Sequence, residues 1–494
     1  MPTTAYSRPE LLDVLIVGAG LSGIGTAYWL QKHCPDKRYA IFEGRDALGG
    51  TWDLFRYPGI RSDSDMYTLG YAFKPWANPQ AIADGASIRQ HIEETARENG
   101  IDQHIYFGHK VVGAAWSSGD ACWTVEIRHG ATDTQIAVRT RFLYMCSGYY
   151  SYEEAYRPQF AGESEFGGPI ILPQFWPHEL DYAGKRVVVV GSGATAMTLV
   201  PALARSAAHV TMLQRSPTYV VSLPGQDAVA LRLRRHLPER VAYDLIRWKN
   251  VLQRIFLYWV ARARPQMAKK QIVGLVTEAL GPDYDVATHF TPRYNPWDQR
   301  VCLVPDGDLF VAIRAGKASV VTDEIDRFTP DGLRLKSGQE LPADVVVMAT
   351  GLTIKLFGGM QLTVDGKVCP PNEGMVYKGM MMSDVPNFAI AFGYTNASWT
   401  LKTDLTANYV CRLLRYMDRR GHAIVVPRRE ADVQPVPFLD FTSGYVQRAQ
   451  QVLPQQGSRR PWQVYQNYLK DLLSIRYGRL ADGVLRFGPK GSMP

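Results

Sequence analysis

The chain carries one unit twice: a run of strand residues that ends in a glycine turn and enters a helix. That repetition restricts it to folds built around two dinucleotide sites. In the first copy Leu12-Asp13-Val14-Leu15-Ile16-Val17 runs straight into Gly18-Ala19-Gly20-Leu21-Ser22-Gly23, and a helix follows through Tyr28-Trp29-Leu30. Gly18 turns the chain, Gly20 lets backbone approach a pyrophosphate, and Gly23 lets the helix pack on the strand. The helix N-terminus then faces the anion. A second strand, Tyr39-Ala40-Ile41-Phe42, ends at Glu43, whose carboxylate can accept hydrogen bonds from a ribose diol.

In the second copy Arg186-Val187-Val188-Val189-Val190 leads into Gly191-Ser192-Gly193-Ala194-Thr195-Ala196, with alanine in place of the third glycine, a variant the turn tolerates. Its next strand, His209-Val210-Thr211-Met212-Leu213, ends in Gln214-Arg215-Ser216 instead of an acid. A carboxylate there would repel a 2′-phosphate, whereas Arg215 can clamp one with charge-assisted bonds, so the second cofactor is expected to be NADPH and not NADH. Ser192 is not a hydrolase nucleophile, because its glycines stand one residue away and not two.

The expected fold class is α/β, with two Rossmann-like dinucleotide-binding domains and a helical insertion. Segments Phe142 to Gly148 and Asp344 to Gly351 each run from strand into glycine and mark where the chain crosses between domains. An FAD domain is expected over residues 1–150 and 345–494, interrupted by an NADPH domain over 151–344. A helix-rich insertion is expected at about 225–290 within the latter. A length of 494 residues exceeds what one core supports and suits this division.

The formal charge of +8 is local. From Asp227 to Lys270 there are eleven Lys/Arg against three acids, and the remaining chain is near neutral. No nucleic-acid recognition module accompanies that patch, so nucleic acid is not an expected partner. Two roles stay open for it: helices that roof a substrate pocket, or a membrane-surface face that delivers lipophilic substrate. Six cysteines without a C-x-x-C suggest neither a disulfide framework nor zinc, and the ten histidines form no ligand-spaced cluster, so no metal is expected. The opening Met1-Pro2-Thr3-Thr4-Ala5-Tyr6 lacks the basic and apolar regions of a leader, and apolar runs such as Ile255 to Ala261 are too short to span a bilayer. A cytoplasmic protein is expected, peripheral to the membrane only if the basic insertion touches it.

Gly49-Gly50-Thr51-Trp52, followed by Tyr57-Pro58-Gly59 and Asp63, resembles a motif of the Baeyer–Villiger monooxygenases, class B flavoprotein monooxygenases. Phe166-x-Gly168-x-x-x-Leu172-x-x-x-Trp176-Pro177 resembles their linker fingerprint. Asp53 to Asp63, Tyr294-Asn295-Pro296-Trp297-Asp298-Gln299-Arg300 and Gly393-Tyr394-Thr395-Asn396-Ala397-Ser398-Trp399 resemble the ethionamide-monooxygenase-like branch, and the similarity runs from about residue 11 to 488. Two departures stand out: Leu172 replaces the fingerprint histidine, and Gln299 replaces a frequent lysine.

The resemblance implies FAD, NADPH and dioxygen chemistry. Hydride passes to flavin, oxygen is captured as a C4a-peroxide, and a lipophilic ketone becomes an ester or lactone; sulfides and thioamides are further expected substrates. Such chemistry requires fixed positive charge where negative oxygen develops. Arg300 is the candidate, since a guanidinium stays protonated, and Asp63 is implied to hold it. Gly50, Thr51, Trp52, Asp53 and Tyr57 are expected on the flavin side. Trp52 and Tyr57 either line the ring or serve as core. Asn396 is expected to open a helix whose N-terminus faces the flavin, with Trp399 walling the substrate pocket. The alternatives are an N- or S-hydroxylating flavin monooxygenase, an uncoupled NADPH oxidase, and a non-catalytic redox-sensing flavoprotein. A disulfide reductase is excluded, because no cysteine lies between Gly49 and Cys122.

Overall fold

The computed structural model describes residues 11–439 and 441–494; the opening hexapeptide, read above for a leader, lies outside them. At the heart of the first domain the strand Leu12–Val17 pairs in parallel with Tyr39–Phe42 on one side and Thr134–Met145 on the other. Val14, Leu15 and Ile16 are fully buried, which is why this strand reads as a continuous apolar run and not as an alternation. Beyond Thr134–Met145 the sheet continues through the antiparallel strands Cys122–His129 and His109–Ser117, and Phe388–Ile390 also pairs with Thr134–Met145.

The second domain holds five parallel strands in the order Ala318–Thr322, His209–Gln214, Arg186–Val190, Val345–Met348, Ile170–Ile171. This moves one expected boundary. Val345–Met348 does not open the returning part of the first domain; it is paired on both edges inside the second sheet, and its four apolar side chains are buried there. The chain leaves the second domain only after Gly351. The two crossings, Tyr150–Ala155 and Leu352–Ile354, pair with each other as an antiparallel ribbon.

The insertion consists of helices Ala228–His236, Glu239–Ala263, Pro265–Leu280 and Val286–Phe290. Asp227 caps the first by accepting from Ala230 N at 3.0 Å, and Arg234, Arg235 and His236 in its last turn suit the negative end of the helix. The insertion is clipped to the first domain by polar bonds. Arg247, almost wholly buried, donates to the Tyr67 and Gly70 carbonyls at 2.7 and 2.9 Å, and Asn250 donates to Asp65 at 2.9 Å. Phe438, Leu439, Phe441, Val446 and Ala449 carry the C-terminal part of the chain into the first domain's core. All six cysteines are free thiols, five of them buried.

Candidate active site

One cavity of about 1210 Å³ opens between the first glycine turn and the insertion helices. Its floor is backbone by necessity. Gly18 has φ +102°, and a Cβ there would sit 2.7 Å from the Cys146 carbonyl oxygen. Glu43 is 5% exposed at the end of its strand; its two oxygens accept from Ala19 N at 2.7 Å and Arg45 N at 3.0 Å. Burial raises its pKa against the pull of those N–H groups. Gly49 N donates to the Ala19 carbonyl at 3.1 Å, which seats the Gly49-Gly50 turn against the first turn, and a Cβ on Gly20 would face Gly50 Cα at 3.5 Å. Gly20, Gly50, Thr51 and Trp52 all line the cavity.

Asp53 does not line it. Its carboxylate is turned inward, where it meets Arg45 at 2.5 Å, Arg56 at 2.6 Å and Arg89 at 3.1 Å. Burial works to raise its pKa, but the Arg45 and Arg56 guanidiniums hold it below the ordinary value. Of these four residues Arg45 alone reaches the cavity wall, so Asp53 positions Arg45 instead of facing a ligand itself.

Tyr57 also departs from the flavin-side expectation. It is buried with Phe55 among the second domain's apolar side chains, its hydroxyl bonds to Thr195, and burial pushes its pKa up to about 12. Gly59 has φ +76°, and a Cβ there would lie 2.6 Å from Ala202 Cβ. Arg61 pairs with Asp308. The segment from Tyr57 to Arg61 is therefore wedged against the second domain before the chain returns to the cavity at Asp63.

There Asp63 Oδ2 accepts from Arg300 Nη1 at 2.6 Å, an ion pair between the two domains with both partners on the cavity wall. Arg300 lies in the loop before strand Cys302–Pro305. Its Nε is buried and has no hydrogen-bond partner among the described residues. Desolvation works against its charge, but Asp63, Tyr445, Tyr149 and Tyr150 around it hold the pKa well above the ordinary value. Tyr149 and Tyr150 share a hydroxyl bond of 2.8 Å, and the Tyr149 ring stacks on Trp399 with centroids 5.3 Å apart. These tyrosines were missed in the sequence. Tyr149 and Tyr150 directly follow the Gly148 turn that marks a domain crossing, a usable signal; nothing local marks Tyr445.

Asn396 lines the cavity, but the helix begins three residues later, as Trp399–Arg420 with Ser398 at its N-cap. Gln466 is the reason: its Oε1 accepts from both Thr395 N and Oγ1, and its carbonyl takes Asn396 Nδ2 at 2.9 Å, which holds this stretch out of the helix. Asn396 Oδ1 is left buried without a partner. Trp399 is on the cavity wall as expected, its Nε1 donating to Ser22 Oγ at 2.8 Å.

The second glycine turn lies outside this cavity. Gly191 has φ +134°, with a Cβ position 2.3 Å from the Ala349 carbonyl oxygen, whereas nothing lies within 4 Å of the one on Gly193. Ser192 Oγ donates to the Ser216 carbonyl at 3.2 Å and bonds Thr218 Oγ1 at 2.9 Å; Ala194 and Thr195 begin helix Ala194–Leu203. Arg215 and Ser216 are exposed beside the turn. The Gln214 side chain is not: it is buried and donates to the His289 carbonyl at 2.7 Å and Thr322 Oγ1 at 2.9 Å, so its amide nitrogen braces the domain interior, while its Oε1 has no partner among the described residues. Leu172 packs its apolar side chain against the cluster around Phe166 and Val188. Among the described residues no group of His, Cys, Asp or Glu is arranged to hold a metal ion.

Two Rossmann-like units, one opening on a large cavity and the other on solvent, with an arginine–carboxylate pair between them, define a protein of the two-dinucleotide-domain class. Residues 16–77 match the NAD(P)-binding Rossmann-like domain and residues 77–391 the flavin-binding monooxygenase-like family. The FAD-containing monooxygenase EthA of Mycobacterium tuberculosis is 56% identical over 484 residues, 97% of this chain and 98% of its own. The chain belongs to the flavin-binding monooxygenase-like family. Its fold is shared by an oxidised steroid monooxygenase bound to NADP, at a TM-score of 0.76 and 20% identity over 97% of this chain and all of the other. A cyclohexanone monooxygenase matches equally well, at a TM-score of 0.76 and 19% identity with the same coverage.

Proposed function

We propose that the chain binds FAD on the first turn and NADPH on the second, and oxygenates a lipophilic ketone to an ester or lactone, with sulfides and thioamides as further substrates. The observation that carries this reading is the Arg300–Asp63 pair on the wall of the same cavity as the first glycine turn. The residues present fit both cofactors. The close packing of Gly20 on Gly50 leaves no room for side chains between the two turns, so backbone lines the cavity there, Asn396 Oδ1 and Arg300 Nε are buried polar atoms with no partner among the described residues, and Gly193 faces open space.

When bound, the two cofactors supply hydride transfer and the activation of dioxygen. The chain's own residues do the rest. Arg300 holds a fixed positive charge toward the cavity, where negative charge develops on oxygen as it is transferred, and Asp63 fixes the direction of that guanidinium. Glu43 and the Gly18 turn would hold the nucleotide end of FAD. Leu257, Val260, Ile272 and Leu275 from the insertion give the outer wall an apolar character, which favours lipophilic substrates and excludes water. The test is to supply a methyl ketone, NADPH and ¹⁸O-labelled dioxygen to the FAD-loaded enzyme. An ester carrying one labelled oxygen is expected; hydrogen peroxide as the sole product would favour the oxidase reading, and a sulfoxide or N-oxide without any ester the hydroxylating one.

A second role rests on a separate observation. Val241, Leu245, Trp248, Leu252, Phe256 and Trp259 stand three or four residues apart on helix Glu239–Ala263 and are all solvent-exposed, Trp259 at 63%. Residues 227–270 carry eleven Lys/Arg against three acids, although Arg240, Lys249, Arg254 and Arg262 of this helix are each paired with a carboxylate, and Leu257 and Leu275 on the neighbouring faces line the cavity. No helix among the described residues is long and apolar enough to cross a membrane. We infer that the stripe rests on an anionic bilayer and that substrate enters beside it. Co-sedimentation with anionic vesicles at low salt is expected, and a Trp248→Ser, Phe256→Ser double variant should lose most of it. Wild-type protein that stays in the supernatant would eliminate this role.

A further inference from the structure

The second glycine turn is flanked by cations from both domains, and only one of them was expected. In the second sheet Arg186–Val190 lies between His209–Gln214 and Val345–Met348, all parallel. The loops leaving these three strands therefore stand side by side, with the turn at Gly191 in the middle, Arg215 on one side and Ala349-Thr350-Gly351 on the other. A dinucleotide binds across the carboxyl ends of such strands. Arg448 comes to the far side from the first domain, on helix Gly444–Ala449, whose Val446 and Ala449 are buried in that domain's core.

Its guanidinium lies over the Tyr156 ring at 3.4 Å and within 3.5 Å of the Cβ position of Gly351. Tyr156 is tied to the same loop, since its carbonyl accepts from Thr350 Oγ1 at 2.9 Å. Both arginines are exposed, and Glu324 lies close enough to Arg215 for the two charges to attract. Partial desolvation, and then the Arg215 charge, hold the Arg448 pKa below the ordinary value. Two guanidiniums on the loops that flank one open glycine turn favour an anion there, and stacking on Tyr156 fixes the direction of one of them in advance.

We propose that Arg448 binds the pyrophosphate of the nicotinamide cofactor, joining the first domain to a ligand held by the second. The inference rests on the NADPH reading above. The 2′-phosphate would lie at the end of strand His209–Gln214 beside Arg215, whereas Arg448 stands against Gly351 on the loop after Val345–Met348.

Calorimetric titration of FAD-loaded protein with NADP⁺ and with NAD⁺ tests this directly. Arg448→Ala should weaken both ligands by a similar factor, about tenfold, equal to about 1.4 kcal/mol. Arg215→Ala should weaken NADP⁺ about tenfold and leave NAD⁺ nearly unchanged. Arg448→Lys should recover part of the loss, and unchanged flavin content and melting temperature in all three variants would show that folding is intact. Wild-type protein that fails to bind NADP⁺ overturns the NADPH reading along with this one. Wild-type binding with no loss in Arg448→Ala, or a loss confined to NADP⁺, overturns the pyrophosphate assignment alone.

Discussion

Arg300→Ala is expected to lower ester formation by about 10²–10³-fold, while anaerobic reduction of bound flavin by NADPH proceeds near the wild-type rate. The magnitude is that of removing a preorganised donor from the place where negative oxygen develops. The separation of the two half-reactions follows from geometry. Arg300 is held by Asp63 on the cavity wall, whereas the second glycine turn and Arg215 lie outside that cavity. Arg300→Lys should recover little, because an ammonium cannot keep the paired planar donors, and a lysine in this desolvated position would lose charge more readily. Stopped-flow absorbance at the flavin band reports reduction, and chromatography of the products reports oxygen transfer. A variant that still makes ester at a substantial fraction of the wild-type rate would remove Arg300 from the mechanism. Loss of both half-reactions together would show that its role is in assembling the site.

The largest effect on stability is expected from Asp471→Ala, about 3–5 kcal/mol, seen as a lower melting temperature and denaturant midpoint. Asp471 is 2% exposed, stands 2.8 Å from Lys402 Nζ, and accepts from the Tyr394 hydroxyl at 2.7 Å. Removing it strands an ammonium in the interior beneath Tyr394 and Asn396, two residues of the cavity wall. Burial already holds the Lys402 pKa below its ordinary 10.5, with Asp471 opposing. Without Asp471 that depression deepens, so the folded variant binds fewer protons than the unfolded chain over a window that ends near 10.5. Its stability should therefore rise with pH through that window, and the deficit against wild type should narrow toward alkaline pH. A deficit that is constant with pH would mean that Lys402 keeps its charge by other means. Lys402→Met combined with Asp471→Ala should recover much of the loss, since no buried charge then remains unpaired.

Both dinucleotide turns were legible because their chemistry is local: glycines at fixed spacing between a buried strand and a helix carry their own geometric requirement. The Asp63–Arg300 contact joins residues 237 apart in sequence and in different domains, and no periodicity announces it; only the resemblance of two separate motifs pointed to the pair. The readings that shifted are those in which residue type was right and direction was not. Asp53 and Gln214 are polar residues beside ligand-binding turns, yet each is turned inward by other side chains, Asp53 by Arg45, Arg56 and Arg89, and Gln214 by Thr322 far along the chain. Tyr57 lies in a flavin-side motif, but Gly59 bends its segment onto the second domain. Val345–Met348 is as apolar as a first-domain strand would be, and composition cannot tell one parallel sheet from another when the chain is about to cross between them.

The paired crossings have a consequence for how this molecule could have been assembled. Because Tyr150–Ala155 and Leu352–Ile354 run side by side, the second domain starts and finishes at one point, like a bead hung on the first by a single two-stranded loop. Removing it would leave two chain ends close enough to be joined by a short turn, and a foreign domain with adjacent termini could be received there without disturbing the first sheet. What resists such an exchange is the apolar plug of Phe55 and Tyr57, which the first domain pushes into its guest, together with the Arg61–Asp308 pair and the bonds by which Arg247 and Asn250 clip the insertion to the first domain. Any replacement would have to supply a socket for those two rings.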